Sequence, residues 1–279
     1  MPQNKAVRRF AVTLLLTAVG VSAAAHDMWI EPASYVLETG KVVGLRLRVG
    51  ENFLGDPLVR DPALIDQFVV ADATGIKPVA GRDGGDPAGL IRSTDQGLLV
   101  VGYQSKPIPV VLSPAKFNQY LTEEGLEDII ALRAKRGEGA ADAREVFTRC
   151  AKSLMLLGPP TAAQRDRVLQ FTLELTAERS PYMMAAGQNL PFRLTYKDRP
   201  LAGALVVAIS QRKPLDKVSA RTDKAGRVRL RLAEPGAWLV KSVHMVPAPA
   251  NSGSEWASFW ASLTFELPPR AGAATASSK

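Results

Sequence analysis

Short runs in which apolar and polar residues alternate fill residues 29–112 of this chain and return from about residue 167 to 267. Val43, Leu45, Leu47 and Val49 alternate with Gly44, Arg46 and Arg48, a period of two that gives each face of a strand its own character. Residues 67–71, 97–103 and 108–112 are compact β-rich runs separated by turn chemistry at Gly55-Asp56-Pro57, Asp61-Pro62 and 81–87. The later half repeats the style. Residues 191–196 lead through Lys197-Asp198-Arg199-Pro200 to an apolar run at 201–207, and residues 222–226 form a hairpin turn before the alternating run 227–232. A further run covers 237–246. Phe259, Ala261, Leu263, Phe265 and Leu267 then alternate with Trp260, Ser262, Thr264 and Glu266.

Between the two halves the pattern changes. Ser113 followed by Pro114 reads as an N-cap with proline at the first helical position, and Leu121, Gly125, Ile129 and Leu132 continue at helical spacing. Val146, Cys150, Leu154 and Leu157 recur in the same way, so a second helix is expected over 141–157, closing at Gly158-Pro159-Pro160. The expected fold is therefore mainly β: two β-sandwich domains, the second immunoglobulin-like or transthyretin-like, with a helical hairpin connector. The boundaries read as a signal peptide at 1–25, an N-terminal β domain at 26–112, the connector at 113–160, the C-terminal sandwich at 161–268 and a disordered tail at 269–279.

The first segment has the parts of a secretory signal. Lys5, Arg8 and Arg9 precede an apolar run at 10–21, and Ala23 and Ala25 supply the small-residue cleavage motif. The run is too short to span a bilayer. Cleavage between Ala25 and His26 would make His26 the first residue of a periplasmic protein. The formal charge of +8 then falls by the three positive charges of the signal to +5. What remains is spread along strand-like runs such as Arg227, Arg229 and Arg231, the solvated face of a sheet and no stripe for nucleic acid. Cys150, the only cysteine, cannot form an intramolecular disulfide and reads as a buried small hydrophobe.

The chain has two histidines, His26 and His244. A terminal histidine can chelate a metal through its amine and one ring nitrogen, and a second imidazole would complete a three-nitrogen histidine brace, an arrangement that suits copper and also nickel. His26 and His244 are the expected metal ligands. Asp27, Met245 and Trp256 are candidates to surround the ion and orient its ligands, with Met28, Glu31 and the pair Met183-Met184 as further candidates. No Cys/His spacing of a structural zinc site occurs, and no nucleophile elbow, P-loop or dinucleotide fingerprint. No catalytic residue is assigned.

The segment His26-Asp27-Met28-Trp29-Ile30-Glu31-Pro32 resembles the H-D-x-W-x-E-P opening of a family of secreted bacterial domains of unknown function, often labelled periplasmic components of cobalt or nickel uptake. The similarity extends through Arg48 to Phe53, Thr122 to Leu126, Phe147 to Lys152, Pro200 to Val206, Thr222 to Gly226, Lys241 to Met245 and Trp256 to Phe265. It implies a periplasmic protein that handles a divalent transition metal (copper, nickel or cobalt), with a metal role for His26 and His244 and a membrane transporter or outer-membrane receptor as partner. Two other readings stay open: a copper-dependent oxidative enzyme of the polysaccharide monooxygenase type, and a metal-free adhesion or interaction module.

Overall fold

A computed structural model describes residues 26–269. The expected signal peptide, Ala25 included, and nearly all of the expected tail lie outside the described residues. In chain order the elements are β1 (Asp27–Pro32), β2 (Val36–Leu37), β3 (Val42–Glu51), β4 (Leu54–Leu58), β5 (Ile65–Asp72), β6 (Gly75–Pro78), β7 (Gly89–Arg92), β8 (Gly97–Ser105) and β9 (Ile108–Leu112). The helices α1 (Pro114–Glu123) and α2 (Glu127–Lys135) follow, then β10 (Ala143–Leu157), β11 (Leu173–Ala177), β12 (Asn189–Tyr196), β13 (Arg199–Pro200) and β14 (Leu205–Ser210). The chain closes with β15 (Lys213–Arg221), β16 (Arg227–Arg231), β17 (Gly236–Pro247) and β18 (Trp256–Leu267).

The fold is mainly β, as the alternation implies, and its strands form three layers. A ten-stranded sheet runs β15-β14-β17-β18-β10-β8-β5-β6, with β2 and β9 also paired to β10. One small sheet (β1, β3, β4, β7) covers one face and another (β11, β12, β13, β16) covers the other. We call these the upper and lower sheets. The period of two sorts the central side chains between them. Leu239 of β17 joins Trp29, Leu45 and Leu47 in the upper core, while Trp238 and Val240 join Phe192, Leu194 and Leu230 in the lower one. Two sandwiches are present, but they share their middle sheet, so the expected division into separate domains at 26–112 and 161–268 is corrected.

The cause is β10. It pairs in parallel with β18 and antiparallel with β8 and β9, and it is buried along nearly its whole length. A strand covered on both faces shows no polar alternation, which let Val146, Cys150, Leu154 and Leu157 pass for a helical stripe. The expected helix over 141–157 is this strand, and the connector shrinks to α1 and α2. Gly125 joins them at φ +63°. Its amide donates to the Thr122 carbonyl at 3.2 Å and that of Leu126 to Leu121 at 2.9 Å, the paired bonds of a Schellman stop. The hairpin lays Phe117, Tyr120 and Leu121 over Phe147, Trp256 and Trp260 beside the upper sheet, forming a third core.

Lys152 of β10 lies buried below the central sheet. Its Nζ is 2.8 Å from Asp166 Oδ1 and 2.9 Å from Glu174 Oε1, and it donates to the Arg167 carbonyl at 2.8 Å. Glu174 also accepts the amides of Leu169 and Phe171. This cluster ties the irregular stretch 158–172 to the sheet. No helix among the described residues is long and apolar enough to cross a membrane.

Candidate functional site

β1 runs antiparallel to β3 with Asp27 opposite Gly50, which sets His26 beside Glu51 at the start of the β3–β4 hairpin. The His26 Nε2 lies 3.4 Å from Glu51 Oε1. The two hairpin residues, Asn52 and Phe53, have φ of 53° and 60°. A type I′ turn demands positive φ at both positions, which asparagine tolerates and a bulky phenylalanine resists. Phe53 is held there by burial: its ring meets Trp29 edge-on with centroids 5.4 Å apart. Glycines flank the turn for lack of room. A Cβ on Gly50 would stand 2.1 Å from the Leu54 carbonyl oxygen, and one on Gly55 would stand 2.6 Å from the Trp29 ring. Gly50→Ala should therefore cost about 1–3 kcal/mol through backbone displacement. Urea unfolding of the variant checks this, and a midpoint unchanged from wild type would show that the hairpin yields freely.

A second contact pins the same terminus. Lys241 Nζ, projecting upward from β17, lies 2.8 Å from Asp27 Oδ1 and 2.6 Å from Glu124 Oε1 at the end of α1. Burial disfavours the ammonium, yet the two carboxylates outweigh it and raise the Lys241 pKa. Burial raises that of Glu124 in spite of the lysine. β1, α1 and β17 thus meet at one ion cluster directly beside His26.

His26 and Glu51 stand at one side of a cavity of about 770 Å³ between the upper hairpin and the central sheet. Val49, Leu54 and Leu58 line it from the hairpin, and Tyr103, Phe147 and Arg149 from the sheet. Arg149 is buried, with its guanidinium carbon 5.2 Å from the Phe147 ring centroid and its amide donating to Ser105 Oγ at 2.9 Å. Burial lowers its pKa to about 10, with Tyr103 and Asp27 opposing the shift.

His244 is elsewhere. It projects downward from β17, with the Tyr196 ring of β12 in edge contact at 4.5 Å and Phe259 as its cross-strand neighbour. Burial lowers its pKa. The central sheet therefore stands between the two histidines, and packed sheets lie about 10 Å apart, whereas two rings on one ion need nitrogens within about 4 Å. The expectation that His26 and His244 share a metal is corrected on this ground. Among the described residues no group of three or more His, Cys, Asp or Glu side chains is placed to hold a metal.

The other sequence candidates also find structural partners. Met245 points upward into the helical core, away from its neighbour His244, and Trp256 is buried there with the Arg136 guanidinium 5.2 Å from its ring. Asp27 faces Lys241. Met28 is in the upper core and Glu31 pairs with Arg48. Met184 is buried and Met183 exposed. Cys150 is buried, which pushes its thiol up to about 12. The sequence reading missed Glu51, Lys241, Glu124 and Arg149 as site residues. All four lie in segments that carry the family resemblance, which was the available signal.

A family model described as a domain of unknown function (DUF4198) matches residues 23–246. No curated protein matches the sequence. Among solved structures, the D0-D1 domain of intimin is 12% identical, with 86% of this chain and 97% of that one covered and a TM-score of 0.20. A Salmonella alpha-2-macroglobulin is 11% identical, covering 86% of this chain and 15% of its own, at a TM-score of 0.21. Dimeric latent PorU from Porphyromonas gingivalis is 11% identical, with 88% and 21% covered and a TM-score of 0.17.

Proposed function

The chain belongs to the DUF4198 family of domains of unknown function, and for this member we propose a periplasmic carrier of a divalent transition metal, copper, nickel or cobalt, held at a processed amino terminus. The observation that carries the reading is the setting of His26. Its Nε2 faces the Glu51 carboxylate, so the ring nitrogen that chelates together with the residue's own amine is Nδ1, on the other side of the ring. A ligating histidine typically donates its second ring N–H to a carboxylate, which fixes the tautomer and the ring orientation. The Lys241 cluster and the tight hairpin then hold both halves of this pair in register.

The metal is cargo in this reading, and a membrane transporter or outer-membrane receptor would pass it on. The copper oxidative reading needs two imidazoles on one ion and loses its second ring with His244. The metal-free interaction module draws its support from that same separation.

Export with the natural signal, followed by intact-mass measurement, is expected to give a chain beginning at His26. Titration of that chain with Cu(II) and Ni(II) should give one site per chain. A one-residue extension ahead of His26 converts the amine to an amide and should weaken binding by at least about tenfold. Equal affinity with and without the extension would reject the terminal site, and no binding by either form would favour the interaction module.

A further inference from the structure

We propose that the cavity beside His26 binds a small organic monoanion, an apolar body carrying one carboxylate or sulfonate group, with the anionic head on Arg149. This goes beyond metal carriage and does not depend on it. The cavity's volume, about 770 Å³, is in the range of small-molecule sites, which are mostly apolar with a few placed polar groups. Its walls fit that description. Leu58, Leu64, Ile108 and Phe147 supply apolar surface, and Tyr103, Ser105 and Arg149 supply polar groups on the sheet side.

Arg149 sets the charge of the ligand. It projects upward from β10 on the same face as Phe147, two residues away, and the contact with that ring steadies the plane of its guanidinium. A guanidinium presents paired donors matched to the oxygens of a carboxylate or sulfonate, and such charge-assisted bonds strengthen in a site removed from water. An anion there would also favour the charged form that burial disfavours. Glu51 and Asp56 line the cavity as well. Their carboxylates oppose a second negative charge, so a monoanion is favoured over a phosphate monoester or a dicarboxylate.

The test uses the mature, chelator-treated protein and two fluorescent probes of similar body: 1-anilinonaphthalene-8-sulfonate, which is anionic, and N-phenyl-1-naphthylamine, which is neutral. The sulfonate should bind saturably at one site per chain. Arg149→Gln should weaken the sulfonate by at least about tenfold while changing the neutral probe by less than about twofold. Ile108→Trp fills the cavity without touching the arginine and should abolish binding of both, with near-UV circular dichroism confirming that each variant is folded. His244→Ala, on the far side of the central sheet from the cavity, should leave both probes unaffected, and saturable binding to the chelator-treated chain separates this site from the metal reading. Equal loss of both probes in folded Arg149→Gln, sulfonate binding unchanged in either cavity variant, or only unsaturable binding to wild type would overturn the proposal.

Discussion

Replacing Lys152 with methionine should cost about 3–5 kcal/mol, the usual penalty for removing one partner of a buried ion cluster. That is a large part of the 5–15 kcal/mol that holds an ordinary domain together. The lysine is ion-paired with Asp166 and Glu174 at once, at 2.8 and 2.9 Å, where all three side chains are buried. Methionine fills similar volume and leaves two carboxylates without their cation. Burial already raises the Asp166 pKa against the pull of Lys152, so in the variant that carboxyl should protonate more readily. Its folded pKa then exceeds the unfolded one, and its burden on stability grows as pH rises through the interval between them. The deficit of Lys152→Met should accordingly be largest near neutral pH and shrink toward about pH 4. Urea unfolding at both pH values measures it. A loss below about 1 kcal/mol at neutral pH would mean that the cluster is not as buried as described.

Glu145→Gln should act in the opposite direction. Glu145 lies beneath the helical hairpin with no exposed surface. Ser258 Oγ and the Tyr120 hydroxyl donate to its Oε1, and Trp260 Nε1 donates to Ser258 Oγ at 3.0 Å. Burial pushes its pKa from 4.5 to about 7, although the bonds from Ser258 and Tyr120 pull it down. Between about pH 4.5 and 7 the folded chain keeps a proton that the unfolded chain releases, so stability falls as pH rises through this window. At 1.36 kcal/mol per pKa unit, the loss is on the order of 3 kcal/mol. Glutamine is neutral throughout and can accept the same hydroxyl bonds. The variant should match wild type near pH 4 and exceed it by a few kcal/mol near pH 8. Parallel urea profiles for the two proteins across that range would show that Glu145 does not titrate in this way.

How much of this was legible depended on what each strand faces. The run 43–49 and the run 227–231 border solvent, and their alternation marks them as strands directly. β10 borders protein on both sides, so its sequence carried the apolar content of a core and no readable period. That one misreading also hid the shared sheet, because β10 is the strand through which the two sandwiches join. Gly125 sat at helical spacing with Leu121, Ile129 and Leu132 and read as part of one helix, whereas its positive φ ends α1 and turns the chain into α2.

The site itself required register. Alternation in β17 places Lys241, Val243 and Met245 on one face and Ser242 and His244 on the other, but nothing local says which layer each face will meet. Two histidines in a chain that has no others looked like one site, and scarcity carries no geometry. Glu51 and Lys241 reach the start of β1 only through strand pairings and packing far apart in sequence.

The most direct test of the account is a pair of Cu(II) titrations on exported protein carrying His26→Ala or His244→Ala, each with chelator competition. Binding should fall by at least about tenfold in the first and stay at the wild-type value in the second, because the proposed site holds the ion at the amino terminus and His244 lies across the central sheet. A loss in His244→Ala as large as that in His26→Ala would contradict it, since only a shared ion would make both rings equally necessary.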